Sequence, residues 1–120
     1  MKDFRELIVW GKAHLLVKSI YSITKSFPKE ELFGLTSQLR RASSSIPTNI
    51  AEGCGRGSDA DFKRFLQIAF GSASETEYLL LLTYELGYYN KEEYIKYNNE
   101  LVKVKKLLSN FIKKLNKTLK

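Results

Sequence analysis

The sequence holds one cysteine, Cys54, one histidine, His14, and two prolines, Pro28 and Pro47. A lone cysteine excludes an intramolecular disulfide framework. One histidine and one cysteine cannot build a zinc site, so no metal is expected, and no motif calls for another cofactor. Glu75, Glu77 and Glu85 are scattered acids without a paired partner, which gives general acid–base chemistry no support. The chain therefore reads as non-enzymatic. Long apolar runs are missing too. The densest, Tyr78 to Leu82, falls far short of the ~18 residues of a membrane span, so no membrane partner is expected. The first residues, Met1-Lys2-Asp3-Phe4-Arg5-Glu6, carry acids and lack the apolar core of a signal peptide. A reduced, cytoplasmic setting is the expectation.

What is present fits one domain over residues 1–120: an apolar content of 43% is normal for a globular core. Strand-like alternation does not persist, whereas the 3.6-residue period appears four times. The first helix is predicted over about 4–27. Leu7, Trp10, His14, Val17, Tyr21 and Thr24 form one stripe; Val9, Ala13, Leu16, Ile20, Ile23 and Phe27 form a second. Two stripes imply a wide buried face. Gly11 weakens this helix, and Pro28 ends it. The second helix is predicted over about 35–52, with Leu35, Leu39, Ala42, Ile46 and Ile50 in register and an expected kink before Pro47. The third, over about 59–86, opens on Ser58 as N-cap with Asp61 at the third position and closes at Gly87. The fourth, over about 91–117, carries Tyr94, Tyr97, Leu101, Val104, Leu108, Phe111 and Leu115 at alternating steps of three and four. That is a heptad seam. Short connections then predict an all-α, antiparallel up-down four-helix bundle.

The net charge of +7 is unevenly spread. From Lys91 onward there are nine lysines against three glutamates, while Lys2 to Glu85 is nearly balanced. With Leu101 at heptad position a, the outward c and f positions from Lys96 onward are Lys96, Asn99, Lys103, Lys106, Asn110, Lys113, Lys117 and Lys120. None is acidic. The stripe spans ~36 Å, long enough for several lysines to engage one phosphate backbone. Such contacts are largely insensitive to sequence. The competing reading is a solvated helix face. Arg40, Arg41, Arg56, Lys63 and Arg64 add positive charge at the second helix and the loop after it, and the sequence alone does not say whether they join the stripe.

Three features have plain readings. His14 lies on an apolar stripe without a companion ligand, as a core or interface histidine does. Cys54 reads as a passive loop residue, since no basic neighbour activates it. Gly53-Cys54-Gly55-Arg56-Gly57-Ser58 precedes a helix but lacks the lysine ending and the preceding strand of a phosphate loop. A helix-to-helix turn with left-handed glycines is expected instead.

Several separated segments carry a family resemblance. They are Phe4-Arg5-Glu6-Leu7-Ile8-Val9-Trp10, Leu35-Thr36-Ser37-Gln38-Leu39-Arg40-Arg41-Ala42, Ser45-Ile46-Pro47-Thr48-Asn49-Ile50-Ala51-Glu52-Gly53, Gly55-Arg56-Gly57-Ser58 and Gly71-Ser72-Ala73-Ser74-Glu75. In this order they resemble the bacterial 23S rRNA-intervening sequence proteins, a four-helix bundle family. The likeness covers nearly the whole chain and is weakest after about Lys91. It departs from the family at Gly11, where a longer residue is common, and at Cys54, where an aromatic is common. The family is in turn similar to the accessory variability protein of diversity-generating retroelements. That protein is a basic homopentamer that binds nucleic acid and a reverse transcriptase. The resemblance implies a homo-oligomer, a pentamer first, with a reverse transcriptase or another protein as a further partner, and no catalysis. It also turns the wide faces of the first and third helices into expected subunit contacts. Pro47, Asn49, Glu52 and Gly53 become a structural motif whose polar groups bond locally or across subunits.

Two functions follow as expectations. One is an oligomeric binder of RNA or DNA backbone that uses Lys96, Lys103, Lys106, Lys113, Lys117 and Lys120, with Arg40, Arg41, Arg56 and Arg64. The other is a protein–protein scaffold or accessory subunit with no direct nucleic-acid role.

Overall fold

The computed structural model describes residues 3–119. Lys120, at the end of the lysine stripe, lies outside them. Four helices follow one another: α1 (Ile8–Thr24), α2 (Leu35–Cys54), α3 (Asp59–Glu85) and α4 (Lys91–Thr118). No strand occurs among the described residues. None of these helices is long and apolar enough to cross a membrane.

The first helix is shorter than its apolar stripes predict, and both ends need correction. Asp3 Oδ1 accepts the Arg5 N–H at 3.0 Å and caps a single 3-10 turn, Phe4–Glu6. Leu7 is extended, with φ −81° and ψ 127°, so α1 starts only at Ile8. At the far end, the amides of Lys25, Ser26 and Phe27 bond to the carbonyls of Ser22, Ile23 and Thr24, three residues back. This tightened last turn carries the chain to Pro28 and keeps Phe27 buried outside the helix. The second helix is two residues longer than predicted and runs on through a buried Pro47.

The other boundaries lie close to prediction, and the caps explain them. Ser58 Oγ accepts the Asp61 N–H at 3.1 Å and starts α3. Asn90 and Glu93 exchange side-chain-to-backbone bonds in a full capping box that starts α4. Gly87, at φ +84°, ends α3. Its N–H bonds to the Tyr84 carbonyl at 2.9 Å, and the Tyr88 N–H bonds to the Thr83 carbonyl at 3.1 Å. That pair of bonds is a Schellman motif, which needs a left-handed residue at this position.

Packing follows the cyclic order α1-α2-α3-α4, with α4 returning to α1. The backbones of α1 and α3 lie on a diagonal and do not approach, and the same holds for α2 and α4. Cross-helix pairs run in opposite numerical order. Phe62 meets Phe111, Lys105 meets Glu77, and Tyr84 stacks on Tyr94 between α3 and α4. Gly53 lies against Phe62 and Phe65, while Ser45 meets Ser72, between α2 and α3. Such order is that of neighbours pointing in opposite directions.

The core takes one stripe of α1 whole: Val9, Ala13, Leu16, Ile20 and Ile23 are buried. The other stripe is mixed. Trp10 and Val17 are half-buried, and Tyr21 and His14 are exposed. Three buried threonines bond to their own helix: Thr24 to the Ile20 carbonyl, Thr76 to Ser72 and Thr83 to Leu79, at 2.7 to 2.8 Å. Each hydroxyl is satisfied one turn back, so polar groups sit in the core without a desolvation penalty left open.

Candidate nucleic-acid interface

The capping box fixes where α4 begins and hence which way each of its residues faces. Tyr97, Leu101, Val104, Leu108 and Leu115 are buried, and Tyr94 and Phe111 are half-buried against the core. Burial pushes the Tyr97 phenol above its ordinary value, so it stays neutral within the seam. The opposite positions, Lys96, Asn99, Lys103, Lys106, Asn110, Lys113 and Lys117, are all exposed. They form two rows. Lys103, Asn110 and Lys117 border α1, where Lys103 shares a recess with Lys12, Leu15 and Glu100. Lys106 and Lys113 border α3 beside Phe70.

Most of these lysines are electrostatically unspent. Lys103, Lys106, Lys113 and Lys117 form no ion pair with any described residue. Lys96 rests over the Tyr97 ring at 5.5 Å. Lys105, one residue before Lys106, is different. Its Nζ lies 2.8 Å from Glu77 Oε1 and 5.1 Å from the Phe70 ring centre. Two cations missing from the predicted set join the face: Lys12 of α1, and Lys114. The heptad rule passed over Lys114 because it occupies a flanking position, and Lys12 because it lies on another helix.

The arginines lie elsewhere. Arg40 is a clamp between α1 and α2: its Nε donates to Thr24 Oγ1 at 2.8 Å, and its guanidinium lies 4.7 Å over Tyr21. Arg41 is exposed on α2, diagonal to α4. Arg56 pairs with Glu52 at 3.1 Å and Arg64 with Asp61 at 3.8 Å. Both also lie within 4.8 Å of the Phe65 ring centre. They share the end of the bundle where Phe62 meets Phe111, the lysine-rich end of α4.

The Pro47 segment bonds locally. Asn49 Nδ2 donates to the Ser45 carbonyl at 2.7 Å and to Ser45 Oγ at 2.9 Å. Ser45 Oγ also meets Ser72 Oγ of α3 at 3.0 Å. Gly53 is helical, and a Cβ there would come within 2.9 Å of both Phe62 Cδ1 and Phe65 Cβ. Its role is close approach between α2 and α3. Of the loop glycines only Gly57 is left-handed, at φ +84°, whereas Gly55 has φ −86°. Cys54 is the buried last residue of α2 and not a loop residue. His14 is an exposed ring stacked on Trp10, centroids 4.8 Å apart.

A groove of about 680 Å³ opens between the start of α1 and the second half of α4. Leu7, Ile8, Val9, Leu107 and Phe111 line it, with Glu6, Asn110, Lys113, Lys114 and Lys117. Among the described residues no group of three or more histidine, cysteine or acidic side chains is placed to hold a metal ion.

A family model described as 23S rRNA-intervening sequence protein matches residues 5–110. The chain belongs to the 23S rRNA-intervening sequence protein family. A solved structure agrees with this: a protein of unknown function from the S23 ribosomal protein family of Bacteroides thetaiotaomicron VPI-5482 is 34% identical. The likeness covers 88% of this chain and 99% of that one, with a TM-score of 0.82. None of the curated proteins matches the chain. The family match ends at Asn110, so Lys113, Lys114 and Lys117 lie beyond it.

Proposed function

We propose that this family member is a non-catalytic, cytoplasmic homo-oligomer that binds the phosphate backbone of RNA or DNA through the lysine face of α4. One observation carries the reading: from Lys96 to Lys117 all seven outer positions of α4 are exposed lysine or asparagine, and the one acid at an outer position, Glu92, lies in the first turn of the helix. A helix face that served only solubility gains from mixed signs, which raise local stability. A face of one sign attracts a polyanion.

Two glycines support the oligomer. Gly11 in α1 and Gly71 in α3 sit inside helices, where each costs about 1 kcal/mol relative to alanine. Around each, a Cβ would meet nothing within 4 Å. The chain itself therefore gives no packing reason for either. Exposed apolar side chains lie near them: Leu15 on α1, and Ile68 and Tyr78 on α3. Because α1 and α3 are diagonal, a contact between the two faces is heterologous and closes into a ring when the rotation allows. A pentamer, as the resemblance implies, is such a ring. A reverse transcriptase or another protein is the further partner that the same resemblance implies.

Binding to RNA and DNA fragments across a salt series tests the reading. Affinity that falls steeply with salt is the expected result. Absence of binding at low salt, with recovery of protein alone from a native pull-down, overturns it in favour of a protein scaffold.

A further inference from the structure

The groove beside the lysine face joins two chemistries. Leu7, Ile8 and Val9 contribute apolar surface from the start of the bundle, and Leu107 and Phe111 contribute it from α4. Phe111 is held by Phe62 of α3 in an edge-to-face contact, with centroids 5.2 Å apart. Around this apolar surface stand Lys113, Lys114, Lys117 and Asn110, against one acid, Glu6. Ile8 is 72% exposed, so an apolar wall of the groove stands in water. A ligand that only matched charge would leave that apolar surface uncovered. A fitting occupant brings an aromatic or apolar body together with closely spaced negative charge.

A nucleotide in a single strand has both. Lys113 and Lys117 are one turn apart, ~6 Å along the helix. Asn110 offers a donor and an acceptor at the groove edge, where a base presents its own. In a duplex the bases are stacked and paired inside, and one must be extruded before it can enter a recess. We propose that the groove receives unstacked bases of a single-stranded nucleic acid while Lys113, Lys114 and Lys117 hold the adjacent phosphates. Single strands are then the preferred ligand of the α4 face. The inference rests on the reading that the α4 lysines bind the backbone, and it names the ligand class of that site. At about 680 Å³ the groove exceeds a single base, so burial and stacking dominate over base-edge selection and preference among bases is weak.

Fluorescence anisotropy at low salt tests this with three probes of equal length: an oligothymidylate, an abasic strand with the same number of phosphates, and a duplex. The base-bearing strand is expected to bind about tenfold tighter than the abasic strand. Ile8→Ser changes no charge and alters a side chain that is mostly in water. It is expected to narrow that difference by about threefold or more and to leave duplex affinity unchanged. Circular dichroism verifies that the variant stays folded. Equal affinity for the base-bearing and abasic strands overturns the groove proposal while the lysine reading stands. An Ile8→Ser protein that keeps the full difference also overturns it. Failure of every probe to bind overturns the lysine reading and the groove proposal together.

Discussion

Lys105 Nζ lies 2.8 Å from Glu77 Oε1, and this contact separates a lysine bound to the bundle from its unpaired neighbour Lys106. The Lys105 side chain is 23% exposed and also covers Phe70, so it serves the α3–α4 contact. Lys105→Ala is expected to lower stability by about 1 kcal/mol, read from chemical denaturation. The salt dependence of nucleic-acid binding should not change. A loss of binding like that of Lys106→Ala would assign Lys105 to the ligand.

Two glycine substitutions are expected to have opposite signs. Gly53→Ala gains helix propensity but drives a Cβ to 2.9 Å from Phe65 Cβ, an atom with no freedom to swing aside. Overpacking of this kind costs about 1–3 kcal/mol, which exceeds the gain. Gly11→Ala meets nothing and should raise the stability of the isolated chain by about 0.5–1 kcal/mol. Thermal melts of both variants at low protein concentration check the pair. Stabilisation by Gly53→Ala would refute the close-approach role.

Much of the architecture is legible in the sequence because it rests on periodicity and caps. The Leu101 heptad seam, Ser58 and Gly87 all act through local rules, and the structure places them where those rules say. The start of α1 was not legible. Apolar spacing runs on through Phe4 and Leu7, while the Asp3 side chain captures the Arg5 amide and favours a tight turn. Gly53 reads as a turn residue because its true constraint, Phe65, is far along the chain. The lysine face itself follows from counting. What did not follow was which cations are spent: Arg40 on Thr24, Lys105 on Glu77, and Arg56 on Glu52. Those partners are set by tertiary packing. The groove was equally hidden, because it needs α1 and α4 side by side.

Tyr89 sets an alkaline limit. Burial pushes its phenol up to about 12 from an ordinary value near 10, and its hydroxyl donates to the Leu80 carbonyl. The neutral form is therefore the one the fold favours. That contribution is complete below about pH 10 and is lost as pH rises through about 12. Denaturation of the wild type should become easier over this window, and Tyr89→Phe should flatten that trend. An equally steep alkaline loss in Tyr89→Phe would place the titrating group elsewhere.

The assembly is read from mass. Light scattering on a sizing column should give a multiple of the 13.8 kDa chain, about fivefold for the pentamer. Gly71→Arg, at a position with no neighbour within the chain, should leave the fold intact and reduce the mass to a single chain. A wild-type protein that runs at 13.8 kDa at micromolar concentration contradicts the ring.

The most direct measurement is the slope of log affinity against log salt for the wild type and for one combined variant. That variant carries Lys103→Glu, Lys106→Glu, Lys113→Glu and Lys117→Glu, all at exposed positions without an ion pair to a described residue. Each neutralised phosphate contributes about 0.9 to the slope on duplex DNA and about 0.7 on a single strand. Removing four lysine–phosphate pairs should flatten the slope by about 3 and reduce binding to the detection limit. A variant that stays folded and keeps both wild-type affinity and wild-type slope would contradict the lysine face as the binding surface.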